Sequence, residues 1–511
     1  MMGGYEVYVM PNTTEVSGVI LAAGRGMRAY PKTKYIPKAL LEVDGTPLIE
    51  RNIEIMRDQL GVKKIIVVVG HYGNQIPEYL NQKNMGVEFT FVVQKQQKGI
   101  GHALLMVEEH IREDRFVVML ADEFYLDSNH RDILTMLDQD AGTDAVLLFK
   151  KVTNPSLITK NFTGNIQQGR VRSLIEKPEY PTTDMLGVGT YLLNRKVFQY
   201  IKQTPPSELR QEVEITDVLS NMARQEVVMA CMLEGKYLNV NNTDDLNQAN
   251  YLIREKKFSR YKVSVVIPAY NEEKTIEGVI HDFSSHPVVS EVVVVDNNSM
   301  DRTSEIAERA GARVVLEMEQ GYGCALRRGL DEAAGDIIIL TEADGTFRSK
   351  DVPKFMEYLK DCDMVVGTRT TRQMIEQGTN MKGLVRWVNV LFGKIIELLW
   401  WNQEPRFTDV GCTYRAIWKT SYQRIRPLLS ARGPEFAPEM MIAVLICKQR
   451  IIEIPISYLQ RLGGESKHSG EFSALARTAL KMMKVILKYR FFAGIVSEIQ
   501  ARFHTGRFVG K

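Results

Sequence analysis

Two apolar segments, Val16–Leu21 and Lys262–Ile267, each run directly into a loop of polar or glycine residues. Both are predicted to be buried β-strands. Strand and helix patterns alternate after each one, as in Glu50–Leu60 followed by Lys63–Val69. This alternation is typical of parallel sheets with helices on both faces. Ligands of such sheets bind beyond the carboxyl ends of the strands. The sequence therefore predicts an α/β chain that carries one ligand-binding design twice.

The length of the chain favours two domains. Its 511 residues exceed what one ordinary hydrophobic core accommodates, whereas two domains of about 250 residues would each fold alone. Between the two designs lies the helical segment Thr243–Arg260, which contains the charged run Arg254–Lys257. We therefore expect one domain over residues 1–257 and a second over residues 258–511.

Composition narrows the class of protein. A net charge of +3 is too small to indicate nucleic acid as a partner, and 44% hydrophobic with 25% charged residues is typical of a soluble globular protein. The cysteines are scattered without a CxxC pair, which predicts reduced thiols in a cytoplasmic protein. Met1–Glu15 lacks the pattern of a signal peptide. The most apolar stretch, Leu384–Trp401, contains charged side chains that are costly inside a bilayer.

The loop after the first strand predicts a phosphate site. Gly24 and Gly26 allow backbone N–H groups to approach a triphosphate, and Arg28 and Lys38 add positive charge. A glycine-rich turn alone is a weak signal, because glycine also serves turns that bind nothing. Further motifs nevertheless follow it in the first half of the chain. They are Gln94, Lys98–Ala103, Ala121–Asp122, Gly169–Val171, Glu176–Pro178, Gly187–Gly189 and Glu214–Asp217.

In this order the motifs resemble the sugar-phosphate nucleotidylyltransferases, the family of glucose-1-phosphate uridylyl- and thymidylyltransferases and their cytidylyl relatives, from about Ser17 to Tyr251. That family joins an NTP to a sugar 1-phosphate, and cations must offset the repulsion between the two anions. The resemblance implies that Arg28 and Lys38 hold the triphosphate and stabilise developing charge, and that Asp122 holds Mg2+ or Mn2+. It assigns the nucleotide to Leu21, Ala22, Gly24, Gly26, Gln94 and Gly99, and the sugar phosphate to Glu176, Lys177 and Gly187.

One position departs from that family. Where its members place a second metal-binding Asp, this chain has the segment Asn239–Asn242, with the neutral Asn241 at the ligand position. A neutral ligand should weaken Mg2+ binding. Either Glu123 or Asp244 compensates, or the domain is slow, or it only binds nucleotide. Catalysis is the favoured interpretation.

The second strand opens into Pro268–Glu273, and the next predicted strand ends at Asp296. Further on, the apolar strand Asp336–Leu340 is followed by Glu342 and Asp344. Two carboxylates separated by one residue at a strand end place oxygens near one cation, which suits Mg2+ or Mn2+ bridging a diphosphate. The sequence therefore predicts a second nucleotide site that is assisted by a metal.

These motifs resemble the inverting family-2 glycosyltransferases with a GT-A fold, and among them the polyprenyl (dolichol) phosphate mannosyl- and glucosyltransferases, from about Tyr261 to Arg490. The two resemblances together imply two Rossmann-like nucleotide-binding domains in tandem, a nucleotidyltransferase fold followed by a GT-A fold. The second assigns the metal to Glu342 and Asp344, with Asp344 the firmer ligand because Glu342 replaces an Asp of the family. It assigns the nucleotide to Pro268, Tyr270, Glu272 and Asp296.

An inverting transfer needs a general base or an acceptor that is already ionised. Asp409 and Glu435 are the candidates for base or acceptor contact. Outside the Arg461–His468 motif, an ordinary surface salt bridge explains each later arginine equally well. Four cationic side chains in motifs that resemble the family are candidates for donor or acceptor phosphates, namely Arg369, Arg415, Arg461 and Lys467.

Two segments suggest membrane contact. Leu384–Trp401 has the pattern of an amphipathic helix with Trp387, Trp400 and Trp401, and the tail Ala474–Lys511 holds eight Lys or Arg against one acid. Basic amphipathic helices with aromatic faces bind the headgroup region of anionic membranes. The same helices would equally cover the core or form a homo-oligomer interface. We expect a cytoplasmic protein, with peripheral attachment to the inner face of the membrane left open.

The leading hypothesis is a bifunctional enzyme. Its first domain converts an NTP and a sugar 1-phosphate into an NDP-sugar and pyrophosphate, and its second transfers the sugar to an acceptor, with polyprenyl phosphate favoured. Fusion raises the local concentration of the NDP-sugar at the second site. The alternative is a glycosyltransferase acting on a glycan or a soluble hydroxyl, with an N-terminal domain that only binds nucleotide.

Overall fold

The computed structural model describes residues 16–30, 32–139, 142–207, 211–376, 383–462 and 472–491. The chain divides into two compact units, one that ends at Ala249 and one that begins at Asn250. We call them unit 1 and unit 2 and describe each by itself. The division falls inside one helix, Thr243–Lys257.

The described residues of unit 1 form strands β1 to β13 and helices α1 to α7. In chain order the strands are Ser17–Ala22, Glu42–Val43, Thr46–Pro47, Lys64–Val69, Glu88–Val93, Arg115–Leu120, Glu123–Leu126, Ala145–Lys151, Phe162–Gln167, Arg170–Glu176, Met185–Asn194, Val228–Met232 and Lys236–Asn239. The helices are Leu48–Leu60, Gln75–Asn81, Ile100–Leu105, Asp132–Gln139, Val197–Gln203, Ile215–Gln225 and Thr243–Lys257, the last of which continues into unit 2.

The main sheet of unit 1 has nine strands in the order β5-β4-β1-β6-β11-β8-β12-β10-β9. Strand β1 pairs in parallel with β4 and β6, as the alternating pattern predicts. Strand β11 runs antiparallel to both β6 and β8, so the prediction of a wholly parallel sheet is wrong and the sheet is mixed. An apolar run marks a buried strand without encoding its direction. The central strands share one hydrophobic cluster, to which Val19, Val68, Val118 and Leu219 belong.

A separate two-stranded ladder lies in unit 1 beside the predicted metal ligand. Strands β7 and β13 pair antiparallel, and Glu123 lies opposite Asn239 at the end of the ladder. The N–H of Val240 donates to the carbonyl of Asp122 at 2.9 Å. This pairing carries the late segment that contains Asn241 to the end of β6, where Asp122 lies.

The described residues of unit 2 form strands β14 to β20 and helices α8 to α15. The strands are Val263–Ala269, Val289–Asp296, Arg313–Leu316, Ile337–Leu340, Met364–Thr368, Arg415–Trp418 and Ile451–Pro455. The helices are Ile276–Ser284, Thr303–Arg309, Tyr322–Glu332, Val352–Leu359, Leu384–Leu399, Lys419–Ile425, Phe436–Ile446 and Phe472–Phe491.

The sheet of unit 2 has seven strands in the order β16-β15-β14-β17-β19-β18-β20. Strand β14 is parallel to β15 and β17, whereas β19 is antiparallel to β17 and β18. The prediction of a parallel sheet is therefore wrong for this one strand as well. Helix α10 packs closely on the sheet at Gly329. A Cβ at this position would collide with the side chain of Val266, so glycine permits the close approach.

Helices α12 and α15 cover one side of unit 2. Phe392 and Ile396 of α12 lie in the same hydrophobic cluster as Met482 and Ile486 of α15. Trp400, which the sequence places on an exposed aromatic face, is buried in this cluster instead. It is the residue that caps the C-terminus of α12, and its backbone N–H donates to the carbonyl of Ile396, which belongs to the same cluster. In the part of the chain that the structure describes, every helix is too short or too polar to cross a membrane.

Candidate active sites

The first loop of unit 1 closes over a lysine. Gly26 adopts the left-handed conformation, with φ 63°, immediately before the 3-10 turn Met27–Ala29 that carries Arg28. A Cβ at Gly26 would lie 3.0 Å from the Cβ of Lys38, so glycine also permits this close approach. The hydroxyl of Thr33 donates to the carbonyl of Gly26 at 2.8 Å and holds the turn in place. The loop thereby brings Arg28 and Lys38 to one place.

Lys38, Asp122 and Asn241 meet at one point. The Nζ atom of Lys38 donates to Oδ2 of Asp122 at 2.5 Å and to Oδ1 of Asn241 at 3.2 Å. The Nη2 atom of Arg28 donates to the same Oδ1 of Asn241 at 2.9 Å. The structure thus brings together both predicted phosphate-binding cations, the predicted metal ligand and the residue that departs from the resemblance.

The donor set at this point fits a divalent cation. Oδ2 of Asp122 and Oδ1 of Asn241 already share one cation, the ammonium of Lys38. Oxygen donors of these two kinds are the ligands that Mg2+ and Mn2+ prefer. Among the described residues, no group of three or more His, Cys, Asp and Glu side chains is arranged to hold a metal ion. The fit is therefore to a metal held by few protein ligands together with substrate phosphates, as is usual for Mg2+.

Glu123 does not compensate for the missing carboxylate at Asn241. Its side chain is buried, and it accepts hydrogen bonds from the N–H of Gly189 at 2.9 Å, from the hydroxyl of Tyr237 at 2.7 Å and from the hydroxyl of Tyr125. Burial raises the pKa of Glu123 to about 7. The alternative in which Glu123 compensates does not fit this geometry, because hydrogen bonds from Tyr125, Tyr237 and Gly189 already engage its oxygens.

Asp245, rather than Asp244, supports the segment that carries Asn241. Its Oδ2 atom accepts from the backbone N–H groups of Asn241 at 2.8 Å and Asn242 at 3.1 Å. Asp244 is exposed in the first turn of α7. Asp245 therefore supports the backbone of this segment, whereas Asp244 points to solvent and does not compensate at Asn241.

The predicted base-binding residues lie side by side. The side-chain amide of Gln94 donates to the carbonyl of Gly99 at 3.4 Å and lies 3.0 Å from Nδ1 of His102. Gly99 has φ 93°, and a Cβ there would lie 2.7 Å from the carbonyl of Val213. Burial, with a contribution from the charge of Lys98, lowers the pKa of His102, so its ring is neutral at pH 7.

The predicted sugar-phosphate residues lie at the end of β10 and within β11. Lys177 has φ 44°, a conformation that non-glycine residues rarely adopt, and its ammonium pairs with the carboxylate of Glu176. The hydroxyl of Thr216 donates to Oε2 of Glu176 at 3.2 Å. Gly187 leaves room for Phe162, because a Cβ at Gly187 would collide with that ring.

These groups line one cleft of about 330 Å³. Gly26 shapes the first loop without lining the cleft. Thr216, within the Glu214–Asp217 motif, also lines it, and that motif was the signal for it. Gln97 and Asn161 line it too, and neither belongs to a motif that the sequence analysis recognised. The predicted residues that line the cleft are Leu21, Ala22, Gly24, Arg28, Lys38, Gln94, Gly99, Asp122, Glu176, Lys177 and Gly187.

In unit 2, the loops after β14 and β15 are tied together. The N–H of Asn271 donates to the hydroxyl of Ser299 at 3.0 Å, and its Oδ1 accepts from the N–H of Met300 at 2.8 Å. Asp296 is buried and accepts from the N–H of Ser299 at 2.9 Å and from the hydroxyl of Ser304 at 2.5 Å. The ends of β14 and β15 carry two of the residues predicted to bind the nucleotide, Pro268 and Asp296, and the loop after β14 carries the other two, Tyr270 and Glu272.

The two predicted metal ligands of unit 2 have different surroundings. Glu342 is half-buried and accepts from the hydroxyl of Thr413 at 2.5 Å. Burial, followed by the charge of Asp344, raises the pKa of Glu342 to about 7. Asp344 accepts from the hydroxyl of Thr346 at 2.6 Å through Oδ1. Its Oδ2 atom faces a cation, Arg461, at 3.5 Å. Asp344 is therefore the better placed of the two carboxylates to bind a cation.

Arg461 joins the nucleotide loop to the metal motif. Its Nη2 atom lies 2.7 Å from Oε1 of Glu272, while its Nη1 atom faces Asp344. The N–H of Leu462 donates to the carbonyl of Asp344 at 3.1 Å, which fixes the chain next to Arg461. A guanidinium between two carboxylates indicates that this position suits a cation. The other predicted phosphate ligand of this motif, Lys467, lies outside the described residues.

Asp409 and Arg369 form a closed pair. The Nε and Nη2 atoms of Arg369 donate to the two carboxylate oxygens of Asp409 at 2.8 and 2.9 Å, and the side chain of Asp409 is fully buried. Burial alone would lower the pKa of Arg369, but the charge of Asp409 raises it well above its usual value. The predicted roles of Asp409 as a base and of Arg369 as a phosphate ligand are wrong, because the two side chains are occupied in a buried ion pair with each other.

Arg415 lies in the core of unit 2. It is 1% exposed, and its guanidinium donates to the carbonyls of Cys412 at 3.0 Å and Ala437 at 2.9 Å. Burial lowers the pKa of Arg415. The predicted role of Arg415 in phosphate binding is wrong, since no phosphate reaches a guanidinium that is enclosed by backbone carbonyls.

Glu435 retains an unsatisfied oxygen. Its Oε2 atom is buried without a hydrogen-bond partner among the described residues. Such an atom is costly unless a ligand completes it. The N–H of Gly323 donates to the carbonyl of Arg432 at 2.7 Å, so the loop that carries Glu435 lies at the start of α10. The hydroxyl of Tyr322, at the same helix start, lies 3.5 Å from Glu342. Glu435 therefore remains a candidate for acceptor contact.

Family models match the two halves of the chain separately. The model described as nucleotidyl transferase matches residues 17–256. The model described as glycosyl transferase family 2 matches residues 264–418. The first match contains the cleft of unit 1, and the second contains the nucleotide loops and the metal motif of unit 2.

Individual known proteins match the first half. The UTP–glucose-1-phosphate uridylyltransferase AglF of Haloferax volcanii is 31% identical over 242 residues, which are 47% of this chain and 98% of AglF. The low-salt glycan biosynthesis nucleotidyltransferase Agl11 of the same organism is 29% identical over 268 residues, which are 52% of this chain and 72% of Agl11. A solved structure of UDP-glucose pyrophosphorylase complexed with UDP-glucose is 25% identical, with 47% of this chain and 99% of that chain covered and a TM-score of 0.43.

Proposed function

The chain belongs to the nucleotidyl transferase family in residues 17–256 and to glycosyl transferase family 2 in residues 264–418, and from this we propose two consecutive reactions. Unit 1 joins an NTP to a sugar 1-phosphate and releases pyrophosphate. Unit 2 transfers the sugar of the resulting NDP-sugar to an acceptor. The observation that carries the proposal is the meeting of Arg28, Lys38, Asp122 and Asn241 in the cleft of unit 1.

In the proposed first reaction, an oxygen of the sugar 1-phosphate attacks the α-phosphorus of the NTP. Lys38 exchanges its carboxylate partner for a triphosphate oxygen, and Arg28 adds a second cation where negative charge develops. Asp122 and Asn241 would hold Mg2+ or Mn2+, which neutralises phosphate charge and polarises the phosphoryl oxygens when bound. Lys177 positions the phosphate of the attacking sugar.

We propose UTP and glucose 1-phosphate as the substrate pair of unit 1. The support is AglF, which is similar over 98% of its own length and is named for these two substrates. Release of pyrophosphate from UTP with glucose 1-phosphate, compared across a panel of NTP and sugar 1-phosphate pairs, tests this pair. If no pair releases pyrophosphate from folded protein supplied with Mg2+, then unit 1 only binds nucleotide and the proposed first reaction is refuted.

In the proposed second reaction, the loops of Glu272 and Asp296 hold the nucleoside diphosphate. Asp344 would be the principal ligand of Mg2+ or Mn2+, because one of its oxygens already faces a cation, whereas Glu342 is engaged by Thr413. The metal supplies a counter-charge for the leaving diphosphate when bound. Arg461 must leave Asp344 when the donor binds, and its guanidinium then has phosphate oxygens as new partners.

We propose polyprenyl phosphate as the acceptor, met at the surface of the membrane. A phosphate acceptor is ionised at neutral pH and needs cations rather than a base. The closed pair of Asp409 and Arg369 removes one of the two candidate bases, which supports a phosphate. A glycan or soluble hydroxyl is the second candidate, and the unsatisfied oxygen of Glu435 is the observation in its favour.

Two variants test the division of labour. Lys38→Met should reduce pyrophosphate release by at least about 100-fold and leave sugar transfer from supplied NDP-sugar unchanged. Asp344→Asn should have the reverse effect. Lys63→Met, at an exposed lysine outside the cleft, is the control. If Asp344→Asn leaves sugar transfer intact, the assignment of the metal motif is wrong.

Glu435→Gln distinguishes the two acceptors. If the acceptor is a hydroxyl, loss of the base should lower kcat by about 100-fold. If the acceptor is polyprenyl phosphate, kcat should change by less than about tenfold. Transfer is measured with both acceptor classes in parallel, from the same NDP-sugar.

A further inference from the structure

One side of unit 2 presents apolar side chains that the fold leaves uncovered. They lie on α12, on the first residue of the 3-10 turn that follows α12, and on α15. We call this surface the α12–α15 face. Contiguous apolar patches of this kind on a protein surface mark sites of interaction. Among the described residues, the face carries large apolar side chains that are at least 40% exposed, namely Trp387, Leu391, Leu398, Trp401, Leu480, Leu487 and Phe491.

The exposed stripe of α12 is not a poorly packed core. Trp387, Leu391 and Leu398 are separated by four and seven residues, so they lie along one side of the helix. The opposite side supplies Phe392 and Ile396 to the hydrophobic cluster. The helix thus has a buried apolar side and a second, exposed apolar side, and only the first is needed for folding.

Helix α15 adds positive charge to the same surface. Its buried side supplies Met482, Ile486 and Tyr489 to the cluster that also contains Phe392 and Ile396 of α12. The span Phe472–Phe491 contains no Asp or Glu. Its cations are Arg477, Lys481, Lys484, Lys488 and Arg490, all of them exposed.

The charge identifies the kind of partner. Helices α12 and α15 pack against each other on one cluster, so their outer sides are neighbours. If this face met the same face of a second copy, the exposed cations of one α15 would lie near those of the other, which is repulsive. Anionic lipid headgroups satisfy the cations, while the boundary below the headgroups accepts the tryptophans and leucines.

We propose that the α12–α15 face docks unit 2 on an anionic phospholipid bilayer. The apolar side chains enter the headgroup region, and the lysines and arginines bind lipid phosphates. The proposal deepens the proposed function, since a polyprenyl phosphate acceptor lies in such a bilayer. Docking itself is measured without any acceptor or donor, so the two proposals can fail separately.

The experiment uses the full chain and vesicles without acceptor, made of phosphatidylcholine alone or mixed with phosphatidylglycerol. Of the tryptophans, Trp387 and Trp401 are exposed, whereas Trp400 and Trp418 are buried. We expect co-sedimentation with the anionic vesicles, a blue shift of tryptophan emission on binding, and weakening by salt. The blue shift should be absent in the double variant Trp387→Phe, Trp401→Phe, because only the buried tryptophans remain. Each single variant then shows which of the two residues reports the insertion.

Charge variants provide the sharper test. The double variant Lys481→Gln, Lys484→Gln should weaken binding to anionic vesicles roughly 30-fold, the change expected for two cations at an anionic surface. The matched control Lys63→Gln, Lys64→Gln removes two exposed cations from unit 1 and should bind like the parent chain. Transfer to a short, water-soluble acceptor should be unchanged in both, which shows that the variants fold.

Three results would overturn the proposal. They are equal binding of the parent chain to both kinds of vesicle, equal loss of binding in the two lysine double variants, and a concentration-dependent blue shift of Trp387 and Trp401 without lipid. The last result would show that a second copy covers the face. Vesicle binding without sugar transfer to polyprenyl phosphate would instead refute the proposed acceptor and leave the docking surface standing.

Discussion

Arg28 and Lys38 both direct a positive group at the carboxamide oxygen of Asn241, and one carboxylate, Asp122, is nearby to balance them. The cluster therefore carries an excess of positive charge before any substrate binds. A second carboxylate in place of Asn241 would cancel this excess. The amide thus favours the binding of a triphosphate and disfavours the binding of a free metal. The excess positive charge attracts the anionic triphosphate and repels the metal cation.

The variant Asn241→Asp tests this balance. It should raise the affinity for Mg2+ without nucleotide by at least about tenfold and weaken the binding of metal-free NTP. Calorimetric titration of the full chain measures both. Asn239→Asp is the control, because the amide of Asn239 donates to Asn161 at 3.1 Å instead of facing Lys38. Changes of equal sign for the two ligands would contradict the charge argument.

His130 makes the stability of unit 1 depend on pH. It is fully buried, and burial lowers its pKa to about 3. Between that value and the unfolded pKa of about 6.5, the unfolded chain binds a proton that the folded chain does not, so stability falls as the pH falls. From pH 7 to pH 5, we expect His130 to cost about 2 kcal/mol. Urea unfolding of the parent and of His130→Asn at both pH values measures the difference in slope, and equal slopes would contradict the assignment.

The positions of two site residues follow from the predicted strands. Asp122 and Asp344 lie just beyond the ends of β6 and β17, whereas Lys38 reaches Asp122 from a separate 3-10 turn. Arg415 begins β19 and Asp409 lies in the loop before that strand, but the side chains of both turn into the core. Whether a polar group faces water or is satisfied by buried carbonyls depends on distant segments that the local sequence does not reveal.

At the scale of elements, the start of α7 positions the cluster of unit 1. The side chain of Asn242 accepts from the N–H of Asp245 at 2.9 Å, and the carboxylate of Asp245 accepts from the N–H groups of Asn241 and Asn242. This reciprocal cap satisfies backbone donors at the helix start. It also fixes the backbone of Asn241, so the helix holds a functional amide in place.

Removal of this cap should affect both stability and activity. Asp245→Ala should lower the free energy of unfolding of unit 1 by about 1 kcal/mol. It should also reduce kcat for pyrophosphate release, because Asn241 loses its support. Asp244→Ala changes an exposed carboxylate one residue earlier and should alter neither quantity. The expectation fails if the two variants have the same effect on kcat.

The elements themselves were largely predictable. Strand β1 at Ser17–Ala22 is shifted by one residue from the predicted Val16–Leu21, and β4 at Lys64–Val69 begins one residue after its predicted start. The α/β class with two domains in tandem is confirmed. The direction of β11 and β19 was not predictable, because both are apolar runs whose partners are set by long-range pairing.

At the scale of the whole molecule, the two units can be observed separately. All four tryptophans of the chain lie in unit 2, so tryptophan emission follows that unit alone. Arg254, in the part of α7 that belongs to unit 2, is buried there. It donates to the carbonyl of Cys362 at 2.9 Å and to Asp363 at 3.0 Å, and it lies over the ring of Trp418 at 4.7 Å.

Arg254→Ala should therefore destabilise unit 2 by about 3 kcal/mol, because it leaves buried acceptors and a carboxylate without their partner. Arg328→Ala, which removes a surface pair with Glu332, should cost less than about 1 kcal/mol. Urea unfolding followed by tryptophan emission measures unit 2, and far-UV circular dichroism measures both units. If the urea midpoint measured by tryptophan emission is the same in Arg254→Ala and in the parent chain, Arg254 does not stabilise unit 2 as argued.

Arg461 has a consequence for the interval between one turnover and the next. If unit 2 binds a metal and a diphosphate as proposed, their release would expose Glu272 and Asp344 to each other as uncompensated charges. The guanidinium of Arg461 lies between these two carboxylates and balances their charge in the empty site. We therefore expect product release to exchange one positive group for another, so that the carboxylates keep a partner between one donor and the next.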